Sequence, residues 1–180
     1  MVFEKAIKEL AAAFSLNVEQ GVVSTAAIDF SPELLKACEK NVCGKYNACW
    51  TCPPASGSLE DQKSKVTAFN SALVFTTISS LEDSFDYEGM MRAKDDHNKL
   101  TAEMHKNFGK TNPVYGAGGC SICESCAYPE PCRFPEKIFP SIEAVGINVT
   151  ELSRAGGLRY NNGENTITYF SMILFNDTFQ

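Results

Sequence analysis

Cys120, Cys123, Cys126 and Cys132 put four thiols within thirteen residues, inside the segment GAGGCSICESCAYPEPCRFP. The first three keep a C-x2-C-x2-C spacing. Steps of three residues let a tightly wound loop turn successive thiolates to one side. A cubane [4Fe–4S] cluster offers separate iron corners to such thiolates, whereas a single tetrahedral zinc ion usually takes C-x-x-C pairs from two separated knuckles. The run begins like the bacterial ferredoxin series C-x2-C-x2-C-x3-C-P. It then departs, because five residues separate Cys126 from Cys132 and Pro135 follows only at the third position. Cys132 either closes the same cluster or reaches a second one, and spacing leaves both open. Gly116, Gly118 and Gly119 match neither a dinucleotide fingerprint nor a P-loop. They are better read as residues that let the backbone approach a cluster closely.

A second group lies upstream. Cys38, Cys43, Cys49 and Cys52 follow C-x4-C-x5-C-x2-C, four thiols in fifteen residues and enough for one complete metal site. A second [4Fe–4S] cluster is the preferred reading, with zinc at these four cysteines as the alternative. A thioredoxin-type redox pair at Cys49 and Cys52 is disfavoured. That pair wants a helix N-terminus at its first cysteine, and Pro53-Pro54 follows directly. Disulfides are disfavoured too, since the thiols cluster and no secretory signal opens the chain.

The segments CGKYNACWTCPP, GAGGCSICESCAYPEPCRFP and PSIEAVGINV resemble the predicted metal-binding protein family known as domain of unknown function 2284. The resemblance runs from the first cysteines to the terminal strand. It implies metal binding of the iron–sulfur kind, mainly in anaerobic bacteria and archaea, and no established reaction. It implies ligation by all eight cysteines: Cys38, Cys43, Cys49, Cys52, Cys120, Cys123, Cys126 and Cys132. The family usually carries Gly after the Tyr of the first loop, where this chain has Asn47, a difference expected to affect loop shape and not ligation.

The elements that must position these thiols follow from periodicity. Residues 3–16 repeat apolar side chains at helical spacing, and VVSTAAIDF (22–30) reads as a strand. Ser31-Pro32 starts a short helix that carries Cys38 near its end. Ser58 and Asp61 begin another, ALVFTTIS (72–79) is a buried strand, and a long polar helix spans about 83–108. Short helices are expected in PSIEAVGI (140–147) and NVTELSRAGG, and a terminal strand at 166–175 after the Asn161-Asn162-Gly163 turn. The expectation is a single α/β domain over 1–180: a small mixed sheet, flanking helices and two irregular cysteine-rich metal-binding loops.

Composition narrows the class. With 44 % hydrophobic and 21 % charged residues the chain reads as globular, and a net charge of −6 gives no basic field for nucleic acid. No apolar run is long enough for a bilayer, so a cytoplasmic chain with reduced thiols and no membrane partner is expected. The sequons at Asn148 and Asn176 are then chance matches. His97 and His105 lie on the polar helix and are read as part of a solvated face, not as metal ligands. Tyr46, Trp50 and Tyr128 flank cysteines and either shield a cluster or pack ordinarily, while Lys45 and Arg133 either offset its charge or are exposed loop charges. No catalytic residue stands out. The favoured function is one-electron transfer with a redox partner protein. The alternatives are a redox enzyme or cofactor-handling protein with an open cluster iron, and a zinc-structured binding module.

Overall fold

A computed structural model describes residues 1–176. The second sequon runs on to Thr178, outside the described residues. The chain forms α1 (Val2–Ala13), β1 (Asn17–Ser24), α2 (Pro32–Glu39), α3 (Leu59–Thr67), β2 (Ser71–Ser80), α4 (Tyr87–Phe108), β3 (Val114–Tyr115), α5 (Val149–Ala155) and β4 (Thr166–Phe175). The strands make one sheet in the order β1-β2-β4-β3.

The small sheet with flanking helices expected from sequence is present. Its directions are antiparallel in all three named pairings instead of mixed. β2 is buried along most of its length because both faces are covered, and its side chains alternate between two cores. Leu73 and Phe75 pack with Phe3 and Ile7 of α1 and with Leu100 and Met104 of α4. Ala72 and Val74 face the other way, onto Val66 of α3, Leu152 of α5 and Ile142 and Val145. Among the described residues no helix is long and apolar enough to cross a membrane.

β1 and the 140–147 helix depart most from the sequence expectation, while α1 ends at Ala13 instead of residue 16 and α4 begins at Tyr87 instead of about residue 83. β1 ends at Ser24, and residues 25–27 turn away in a 3-10 helix that the Thr25 amide and hydroxyl fix to the Asn70 and Phe69 carbonyls. The strand runs back through the mostly polar Asn17–Gln20 instead, an outer strand paired on one side by β2. The expected helix at 140–147 contracts to a single 3-10 turn, Glu143–Val145, ended by Gly146 at φ 80°. Elsewhere the signals hold. Ser58 accepts the Asp61 amide as a capping box at the start of α3, and Asn148 caps α5.

His97 is a correction. It is fully buried, not solvated. Its ring bridges Thr77 Oγ1 at 2.9 Å and Ser171 Oγ at 2.7 Å, tying α4 to β2 and β4. Thr101 completes the network, 2.8 Å from the Ser171 hydroxyl. Burial pushes the His97 pKa down to about 3. His105 is half-buried against Phe139, with Nε2 3.1 Å from the Glu136 carbonyl.

Candidate metal centre

Both cysteine loops hang from the same end of this frame. The second leaves β3 and is pinched at its neck, where Gly116 N–H donates to Pro140 C=O and Ile142 N–H donates to Gly116 C=O. Between those bonds the chain has no regular element and is free to wind around a site. The first loop begins in α2, where Cys38 sits in the last turn, and ends at the Ser58 cap of α3. Asn41 shapes it by accepting the Tyr46 amide, and Asn47 N–H donates to Pro53 C=O.

Cys120, Cys123, Cys126 and Cys132 all line one small cavity. The longer step to Cys132 therefore returns to the same place as the first three cysteines. Cys49 lines this cavity as well, although it belongs to the first loop. Trp50, Phe134 and Ile138 supply apolar walls. Among the described residues, no three His, Cys, Asp or Glu side chains converge closely enough to hold a single metal ion.

The two loops touch. Cys120 N–H donates to Thr51 Oγ1 at 3.3 Å, Trp50 Nε1–H to Glu130 C=O at 2.9 Å, and Tyr128 O–H to Asn47 Oδ1 at 3.1 Å. The Trp50 and Tyr128 rings meet edge to face, 5.0 Å between centroids. A Cβ on Gly119 would lie 3.5 Å from Cys52 Sγ and 3.1 Å from Lys45 Cγ, so this glycine allows the backbone of one loop to rest on a cysteine of the other. Trp50 and Tyr128 thus hold the loops together, and Trp50 also walls the thiol cavity. Lys45 is half-buried at the contact, whereas Arg133 is exposed and donates to the Ser125 carbonyl.

Asn47 and Thr51 are functional candidates that sequence reasoning passed over or undervalued. Asn47 adopts φ 51°, in the left-handed region that favours glycine and tolerates asparagine. The Asn47 side chain adds the bond to Tyr128. The signal for Thr51 was its place between two cysteines in CWTC.

Hydrogen bonds from Cys120 and Cys52 hold the Cys49 thiol far below the usual range despite its burial, with Thr51 adding a smaller share. The same bonds, together with burial, push Cys52 and Cys120 up; the Ile122 amide opposes the rise at Cys120. Farther out, burial raises the Cys38 pKa, with smaller contributions from Cys43 and Glu143. Cys43 itself is exposed.

The family model for predicted metal-binding protein (DUF2284) matches residues 21–175. The chain belongs to this family. The match takes in both cysteine loops and all four strands except the start of β1. No curated protein and no solved structure matches the chain.

Proposed function

We propose that the protein carries two [4Fe–4S] clusters and transfers single electrons in anaerobic cytoplasmic metabolism. Cys120, Cys123, Cys126 and Cys132 would hold one cluster, and Cys38, Cys43, Cys49 and Cys52 the other. The observation that carries this reading is that the four second-loop thiols line one cavity. The donor set fits as well, since thiolates are the usual ligands of such clusters. When bound, clusters of this kind accept and release one electron at a time.

The remaining roles fall to this chain's own groups. Trp50, Phe134 and Ile138 exclude water from the thiols, and the Ile122 amide donates to the Cys120 sulfur. The Lys45 side-chain stem lies at the junction of the loops, its Cβ and Cγ beside Gly119. The net charge of −6 suits a redox partner protein with a basic face.

A second reading, a redox enzyme or cofactor-handling protein, draws on a broad groove that Tyr160, Asn165 and Thr168 line. This groove reaches Ala117, three residues before Cys120, and Glu143, whose charge acts on Cys38. Such a groove would seat a small molecule next to the cysteine loops.

Single-loop variants test the assignment. Cys123→Ser is expected to lose about half of the iron and visible absorption of anaerobically purified protein, and Cys43→Ser the other half, because each loop supplies one cluster. Zinc in place of iron, or full iron retention in both variants, would sink the reading.

A further inference from the structure

We propose that Thr51 is a positioning residue that joins the two cysteine sites into one electrically coupled unit. The inference rests on the iron–sulfur reading above and goes beyond it, since two cysteine quartets need not communicate. Thr51 is 3 % exposed, and its hydroxyl touches both loops. The oxygen accepts the Cys120 N–H at 3.3 Å and lies 3.4 Å from Cys49 Sγ. A hydroxyl that accepts one bond still has its own proton to give. With the Cys120 amide donating to the oxygen, that proton is available to the Cys49 sulfur.

The surroundings make this single group consequential. Cys49 is 1 % exposed and Cys52 7 %, so the junction is dry. Cys49 lines the second-loop cavity together with Cys120, while the chain ties it to Cys52 through Thr51. The backbone at Gly119, just before Cys120, lies against Cys52 Sγ. In a low-dielectric junction a charge on one set of sulfurs acts strongly on the other. Hydrogen bonds to ligand sulfurs, and the amides that orient them, are established levers on cluster potential. The Thr51 hydroxyl, beside the Cys49 sulfur and bonded to the Cys120 amide, is therefore placed to act on both centres.

Thr51→Val keeps the shape and removes the hydroxyl; Thr51→Ser keeps the hydroxyl. Iron and acid-labile sulfide are measured first in the unmodified protein; their absence would refute the iron–sulfur reading itself. With iron and sulfide present, redox titrations followed by EPR compare the variants. Thr51→Val is expected to change the reduction equilibrium of both centres by about tenfold, which is about 59 mV for a one-electron couple. Thr51→Ser is expected to restore both. A shift at one centre only, no shift at either, or no rescue by serine overturns the proposal. Thr51→Ala covers the case in which valine prevents loading. Metal lost from both sites in the alanine and valine variants and kept in the serine variant still supports a hydroxyl serving both loops, and loss from one site only overturns it.

Discussion

His97 shows how a single side chain is decided by its neighbours. Read along the chain, the stretch from Asp95 to Lys99 is polar. Read down the helix, Ala93, His97, Leu100 and Met104 follow one another at three- and four-residue steps and are all buried. That spacing was in the sequence; the partners Thr77 and Ser171, far away in the chain, were not. The consequence is a pH dependence with a defined sign. A neutral imidazole in the fold, with its pKa pushed down to about 3, binds no proton where an unfolded histidine near 6.5 does. Stability from this group is complete above the unfolded value and is lost as pH falls below it, by at most about 1.4 kcal/mol per pH unit. Urea unfolding at pH 7 and pH 5 is expected to show this loss. His97→Gln, less stable at pH 7 for want of a fitted partner, is expected to show a shallower acid slope. Equal slopes in the two proteins would contradict the assignment.

At the scale of elements, β1 lies where sequence reading is weakest. The apolar run at 22–30 drew the expected strand too far along the chain, because an outer strand with half-exposed faces needs little hydrophobicity. Helix caps, by contrast, are written in adjacent residues, and the Ser58 and Asn148 caps form as their types predict. Gly21 in mid-strand marks a contact that no local pattern announces. A Cβ there would stand 2.0 Å from the Gly156 carbonyl oxygen, at the C-terminal end of α5. The helix thus presses directly on the strand backbone. Gly21→Ala is expected to cost about 1–3 kcal/mol through the displacement of α5. The urea midpoint should fall with an unchanged slope; an unaltered midpoint would mean that α5 does not press on β1.

Across the whole molecule, the chemistry was more legible than its geometry. Eight cysteines in two groups, with C-x2-C-x2-C in the second, pointed to metal before any fold was drawn. Spacing alone did not reveal that Cys132 returns to the cavity of Cys120, Cys123 and Cys126, or that Cys49 joins them from the other loop. Both follow from long-range closure: the Gly116–Ile142 neck brings the ends of the second loop together, and Thr51, Trp50 and Tyr128 dock it on the first. The sheet carries both loops on one frame, so the site belongs to the tertiary structure as much as to either motif.

Iron and acid-labile sulfide, measured per chain in protein purified without oxygen, test the central claim most directly. Two [4Fe–4S] clusters predict about eight of each, with a brown colour that bleaches on reduction. A colourless protein that holds zinc and no sulfide would contradict it.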